Sequence, residues 1–385
     1  MKSLRVFHLP ALVGDHGPSL ARLERARGHR STSISETPHV FGFHADVTLL
    51  KLGENPFWLE LRRVVWFLRI LLTADVVHYN WGRTLFPDIR PRPNTWMRER
   101  SALLSKLYRW YGRIGSTVEL ALLRARGVRI VVTFQGNDAR QTDRCLARGA
   151  TLTADAMPQD EWTRPDDLWK GRVIKRFDRF AHSIFALNPD LLWVLPKRAQ
   201  FLPYLHWKSP DLDCVSKTRT FGEPLVIVHA PSVRSAKGTD LLEVALKSLR
   251  SRGVAVTWKF LESLPHSECV ATMREASVFV DQLLIGWYGG AAVEAMSLGI
   301  PTIACIRKED LVWLPPAMRE SLPIVPADPS TIEAVLEQLA RMDQLELKEL
   351  GQRTRAFASY WHDPNRVVEQ VLAAYEPSTS VTNCG

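Results

Sequence analysis

The stretch from Val278 to Ile306 reads Val-Phe-Val-Asp-Gln-Leu-Leu-Ile-Gly-Trp-Tyr-Gly-Gly-Ala-Ala-Val-Glu-Ala-Met-Ser-Leu-Gly-Ile-Pro-Thr-Ile-Ala-Cys-Ile. A short apolar run, Ser277 to Val280, leads into a loop punctuated by Gly286, Gly289 and Gly290. A compact helical pattern starts near Gly289 and stops at Gly299, and Pro301 opens a second apolar run, Thr302 to Ile306. Strand, glycine loop, helix, glycine stop and strand make one unit of a parallel α/β sheet. Glycines let the backbone approach a ligand closely, and the amides of a helix start favour an anion. Gly289, Gly290 and Ala291 hold that position. Glu294 follows about one and a half turns into the helix, where a carboxylate can accept hydrogen bonds from vicinal hydroxyls such as those of a ribose. A packed βαβ unit with a solvent-facing glutamate fits the same pattern.

The run Glu294-Ala-Met-Ser-Leu-Gly-Ile-Pro-Thr-Ile-Ala304 resembles the nucleotide-sugar signature of GT-B glycosyltransferases, especially the retaining family-four type. There the helix carries Glu-Ala-Met-small-x-Gly-x-Pro-Val-Ile-Ala. The resemblance implies two Rossmann-like domains facing each other across a cleft, and puts Glu294 on the second glutamate of the family's pair, which holds the donor ribose. The first glutamate would stand where this chain has Gly286. Glycine removes that acceptor and leaves room. Asp281 and Gln282 precede it in the same loop, the first suited to sugar hydroxyls and the second to a base edge. Asp281 fits equally well as a group satisfying loop amides.

At 385 residues the chain has room for two domains, and 46% hydrophobic with 24% charged content is that of a folded globular protein. Its amino terminus has no apolar run of signal-peptide length. The apolar region Phe57 to Val77 is broken by Arg62, Arg63 and Arg69, so it is not expected to span a membrane. The cysteines at 145, 214, 269, 305 and 384 are odd in number and unpaired in spacing, as expected of reduced thiols in a cytoplasmic protein. A formal charge of +9 suggests an anionic partner such as a nucleotide diphosphate or acidic lipid. No nucleic-acid recognition module is visible.

Strand Arg5 to Leu9, a loop with Gly14 and Gly17, and a helix ending at Gly28 open the first α/β half. Further short apolar runs lie at Asp75 to Tyr79, Arg129 to Phe134 and Ser183 to Leu187, with a polar insertion from Gly136 to Gly171. Lys208 to Glu223 loses periodicity and reads as a linker. A second alternation then runs through strand Leu225 to Ala230, helix Thr239 to Arg250, strand Val254 to Phe260, helix Pro265 to Ala276, strand Leu322 to Val325 and a helix to about Met342. Asp363-Pro364 starts a last helix, capped by aspartate with proline at its first position. The expected division is 1–215, 216–360, a helix at 361–376 that crosses back to the first domain, and a disordered tail at 377–385.

Three further constellations carry chemistry. Arg234 and Lys237 lie between strand Leu225 to Ala230 and the next helix, placed to meet the charge that grows on a leaving diphosphate; a basic surface loop with a good cap is the alternative. The resemblance favours the former, since Arg-x-x-Lys-Gly there is similar to the family's diphosphate loop. Thr133-Phe-Gln-Gly-Asn-Asp-Ala-Arg140 resembles the family's His-Gly-Ser-Asp-x-Arg loop, with Gln135 where histidine is usual and Gly136 beside it. Glutamine cannot titrate, which leaves Asp138 as a catalytic candidate and Arg140 as a binding one, with loop capping the alternative for Asp138. Gly14 and His16, after the first strand, fall on the acceptor side, and Asn80-Trp81-Gly82-Arg83 can serve it similarly.

Leu103, Leu107, Tyr111, Ile114 and Val118 share one helix face, with Lys106, Arg109 and Arg113 on another and Trp110 near the boundary. Arg90, Arg92, Arg98, Arg100, Arg124, Arg126 and Arg129 add to the basic character. The expectation is a core helix with a solvated basic side, the alternative a membrane-surface element. Together these features lead us to expect a cytoplasmic GT-B glycosyltransferase, with peripheral attachment at the inner membrane face as an extension. Its partners would be a nucleotide sugar as co-substrate and a glycan or lipid-linked acceptor, with no cofactor and no metal. An epimerase or hydrolase of the same fold, or a non-catalytic sugar-binding scaffold, are the rivals.

Overall fold

The computed structural model describes residues 2–39, 42–86, 102–147, 164–205 and 223–376. The expected linker up to residue 222, residues 148–163 of the polar insertion, the arginines at 90, 92, 98 and 100, and the expected tail lie outside the described residues.

The first half builds β1 (Arg5–Leu9), α1 (His16–Ala26), β2 (Arg30–Ser35), β3 (Val47–Thr48), α2 (Pro56–Thr73), β4 (Val76–Asn80), α3 (Ala102–Ala125), β5 (Arg129–Phe134), α4 (Thr142–Leu146), α5 (Arg164–Phe180), β6 (Ser183–Ala186) and β7 (Gln200–Phe201). The strands pair in parallel in the order β3-β2-β1-β4-β5-β6-β7. Alternation along the central strands divides their side chains between two layers. Val6, Val76 and Val131 point to α1, while Phe7, Val77 and Val132 point to α2, α3 and α5. Coverage on both faces explains why β5 reads as a nearly continuous apolar run. β2, β3 and β7 escaped the sequence reading because they are polar or only two residues long.

The second half comprises β8 (Leu225–His229), α6 (Arg234–Lys237), α7 (Thr239–Ser251), β9 (Val256–Phe260), α8 (His266–Met273), β10 (Val278–Val280), α9 (Gly290–Ser297), β11 (Thr302–Ala304), α10 (Pro316–Glu320), β12 (Val325–Pro326), α11 (Ile332–Arg341) and α12 (Gln344–Trp361). Its sheet is also parallel, in the order β12-β11-β10-β8-β9. The strand expected at Leu322 to Val325 begins only at Val325, and the helix expected from Pro265 to Ala276 is shorter at both ends. α12 opens with a capping box: Asp343 accepts from the Glu346 amide at 2.8 Å and Glu346 from the Asp343 amide at 3.0 Å. A Cβ at Gly351 would overlap the Gly299 carbonyl, so α12 reaches α9 only because residue 351 is glycine.

α13 (Pro364–Tyr375) leaves α12 and lies on the first sheet. Val367, Val368 and Val371 join Leu20 and Leu23 in one apolar cluster. Tyr375 donates to Glu24 at 2.9 Å and lies 2.9 Å from His78 Nδ1, so the end of the chain is held by a buried polar network of the first half. The apolar face of α3 differs from the core-helix expectation. Leu103, Leu107, Ile114 and Val118 are exposed, and the buried positions are instead Gly112, Ser116, Glu119, Leu120 and Leu123.

Candidate functional site

The carboxyl ends of both sets of strands open on one cavity of about 770 Å³, where open parallel sheets place ligands. The first sheet contributes Gly14, Asp15 and His16 after β1, Phe43 from the β2–β3 connection, and Gln135 after β5. The second contributes Pro231 and Ser232 after β8, Lys237, His266 at the start of α8, and Gly290, Ala291 and Glu294 of α9. Long separations in sequence thus converge because each residue follows a strand end.

Lys237 sits on the one-turn helix α6. Its Nζ lies 2.6 Å from Asp281 Oδ1, and Asp281 Oδ2 accepts the Gly289 amide at 2.6 Å. One buried carboxylate therefore ties the end of β10 to both α6 and the start of α9. Gly238, with φ of 73° and a Cβ position only 3.2 Å from Leu283, ends α6 in the left-handed region and allows this approach. A Cβ at Gly290 would meet nothing within 4 Å. Open space thus faces the free amides of the α9 start, beside an ammonium group, and that combination suits a phosphate.

Glu294 lines the same cavity and lies 2.6 Å from His266 Nε2. The hydrogen bond that the His266 N–H donates to the Glu294 carboxylate raises the histidine pKa above its ordinary value. The His266 ring stands 4.9 Å from Phe43 and the Phe43 ring 5.1 Å from His39, so aromatic rings bridge the cleft beside Glu294. The sequence reading missed His266; the signal was available, since it follows the carboxyl end of β9 as Lys237 follows that of β8.

His16 is buried at the first turn of α1 and faces the cavity, and among the described residues neither ring nitrogen has a hydrogen-bond partner. Burial, helped by neighbouring His8, lowers its pKa from 6.5 to about 3, so the ring is neutral at neutral pH. Between those values the unfolded chain binds a proton that the folded chain refuses, so stability falls as pH drops from 6.5 towards 3. At pH 5 the penalty from this group is about 2 kcal/mol. His78 and His229, also lowered by burial, act in the same direction. His16→Gln is expected to flatten part of the acid limb of a plot of Tm against pH; an unchanged acid limb would show that His16 titrates normally.

Several expected site residues lie elsewhere. Arg234 turns outward to Asp240, Glu243 and Glu262 and does not line the cavity, because three carboxylates draw it away. Asp138 is buried and accepts the amides of Gln135 at 3.1 Å and Gly136 at 2.7 Å, shaping the loop instead of facing substrate. Arg140 is buried in a two-pronged pair with Asp190 at 2.6 and 3.0 Å, and its Nη1 lies 3.1 Å from a Cβ position at Gly136. Asp281, bound as described, has no exposed surface for a sugar. Gln282 is buried, and its backbone carbonyl accepts from the Cys305 amide at 2.7 Å. The room expected at Gly286 is filled: a Cβ there would lie 2.8 Å from Arg307 Cβ and closer still to Cγ and Cδ. Trp81 adopts φ of 61°, and Arg83 binds Glu36 at 2.7 Å outside the cavity. Among the described residues no three His, Cys, Asp or Glu side chains gather as metal ligands.

Two parallel-stranded α/β sheets facing one cleft, with the last helix returning to the first sheet, define a GT-B fold. Solved structures of that kind superpose along nearly the whole chain. Sucrose-phosphate synthase from Thermosynechococcus elongatus gives a TM-score of 0.60 at 12% identity, covering 97% of this chain and 98% of that one. The catalytic domain of starch synthase IV from Arabidopsis thaliana, bound to ADP and acarbose, gives 0.57 at 12% identity over 97% and 99%. A glycosyltransferase from Rickettsia africae gives 0.54 at 12% identity over 97% and 98%. No family model matches the sequence, and no curated protein does. At such identity the likeness concerns the fold.

Proposed function

We propose that this chain transfers a sugar from a nucleotide diphosphate sugar to a hydroxyl of a glycan or lipid-linked acceptor, with retention and without a resident metal or cofactor. The observation that carries the reading is the open space at the start of α9, flanked in one cavity by Lys237 and Glu294. The donor's diphosphate would sit against the α9 amides and the Lys237 ammonium, and its ribose would reach Glu294. As the bond from the anomeric carbon to the phosphate oxygen breaks, negative charge grows on the diphosphate and is met by fixed positive groups. The acceptor oxygen forms the new bond, and its proton passes to the departing phosphate. ADP and acarbose in the starch synthase structure support a nucleotide and a sugar as ligands of this fold.

His16 favours a second reading of the acceptor's approach. A neutral imidazole at the acceptor side, without a hydrogen-bond partner among the described residues, can accept a hydrogen bond from the acceptor hydroxyl and hold it for attack from the face opposite the diphosphate, its proton passing to solvent, and the product would then be inverted. The anomeric configuration of the product, read by NMR, separates the two. To test transfer, the protein is incubated with UDP-, GDP- and ADP-sugars with and without acceptors, and released diphosphate and glycosylated product are measured. Glu294→Ala is expected to raise the KM about tenfold or more for every donor sharing the nucleotide, whatever its sugar, as loss of a charge-assisted hydrogen bond requires. Diphosphate release independent of any acceptor would make the protein a hydrolase, and no turnover of any donor would remove the transferase reading.

A further inference from the structure

Two neighbouring helices of the first half leave long apolar stripes uncovered. On α2, Trp58, Leu61, Leu68 and Leu72 recur at helical spacing and are exposed, Leu72 to 69%. On α3, Leu107, Trp110, Ile114 and Val118 do the same, Trp110 to 66%. The stripes run along helices of 18 and 24 residues, about 27 and 36 Å. The helices are joined on their inner side, where Tyr108 and Tyr111 donate to Glu60 at 2.5 and 3.3 Å and Arg63 pairs with the same carboxylate. Patches of this extent mark an interaction surface.

The charges around the stripes decide what covers them. Glu60 and Glu119 are the carboxylates of these helices. Glu60 is engaged in the joint just described, and Glu119 is buried, accepting from Tyr79 at 2.6 Å and from the Leu85 and Phe86 amides. Arg69, Lys106, Arg109 and Arg113 have no carboxylate partner among the described residues. Arg69 instead lies 4.7 Å from the Trp66 ring centroid. An apolar face edged by tryptophan and unneutralised cations, with no outward acid, fits the boundary between headgroups and acyl chains. No described helix is long and apolar enough to cross a membrane, so the face lies on the bilayer rather than in it.

We propose that the joint outer face of α2 and α3 docks on a lipid bilayer bearing acidic headgroups. The indole and leucine side chains enter the interfacial layer, while the four cations meet the headgroups. Each helix ends close to the amino end of the next strand, Thr73 before Val76 and Ala125 before Arg129, so each runs back along the sheet with its first turns towards the carboxyl edge on which the cleft opens, and docking sets the cleft mouth beside the membrane surface. On the transferase reading, an acceptor anchored in that membrane would reach the cleft without leaving it.

Co-sedimentation of the full chain with phosphatidylcholine vesicles, with and without phosphatidylglycerol, tests the proposal. Binding is expected to require the acidic lipid and to weaken with added salt. Leu107→Glu with Trp110→Glu is expected to lower the partition constant about tenfold or more, as is Lys106→Gln with Arg109→Gln and Arg113→Gln. These positions face solvent or lie at the helix surface, and circular dichroism confirms that each variant folds. Equal, negligible binding to both vesicle types overturns the proposal. So does a dimer that Trp110→Glu dissociates, which would make a second copy the occupant, or vesicle binding that emerges only when residues 87–101 are deleted, which would make that segment the cover. Because sedimentation does not read turnover, docking can fail while transfer stands, and the reverse.

Discussion

Replacing Lys237 by methionine is expected to weaken nucleotide diphosphate binding by about 1.5–3 kcal/mol, roughly ten- to a hundredfold, the range for a hydrogen bond to a charged group. Calorimetry with free UDP, GDP and ADP measures it. The structure adds a second effect. Asp281 is fully buried and binds the Lys237 ammonium and the Gly289 amide at once. Removing the cation leaves a buried carboxylate with one amide, which costs about 3–5 kcal/mol of stability where such pairs are broken from one side. Lys237→Met should therefore lower Tm as well as affinity. Adding Asp281→Asn removes the stranded charge and should restore most of the stability while leaving binding weak. If Lys237→Met alone loses neither affinity nor stability, the ammonium is not part of the site. If the double variant regains affinity as well, Lys237 acts only by neutralising Asp281.

Gly286→Glu supplies the carboxylate that the GT-B resemblance places at this position but is expected to destabilise the protein by about 1–3 kcal/mol, as overpacking does. The overlap involves Arg307 Cβ, Cγ and Cδ, near the base of the side chain, where little freedom remains. The Arg307 amide also donates to the Gly286 carbonyl at 3.0 Å, so the two backbones cannot part. Arg307→Ala is expected to reverse part of the loss, visible in denaturant unfolding as a double variant more stable than the sum of the single effects. Gly286→Glu with unchanged stability would show that Arg307 swings aside freely. The pair explains how a chain can lack the first glutamate without leaving a void: another side chain has filled the position.

The β10–α9–β11 unit was legible because its signals are local. Three-residue apolar strands, a glycine loop and a glycine stop at Gly299 each depend on residues within a turn or two of one another. The cleft position of Lys237 and Glu294 was expected from the family resemblance, on loops and a helix that follow strand ends at the edge where open parallel sheets bind ligands. His16 was found for that reason too. Its burial and missing partners were not visible, because they depend on what packs over α1.

Tertiary structure decided the rest through pairings between distant residues. Asp281 is withdrawn from the cleft by Lys237, 44 residues earlier; Arg234 is drawn out by Glu262, 28 residues later; His266 reaches Glu294 across 28 residues. Asp138 and Arg140 look like cleft residues in sequence, yet one closes its own loop and the other meets Asp190. The outer face of α3 carried the apolar period that normally marks a core, and only the stacking of α2 beside it showed that this face is left open. Periodicity specifies which residues share a helix face, but the neighbours that cover the face, and the charges that turn a side chain inward or outward, are set by how separate elements stack in space.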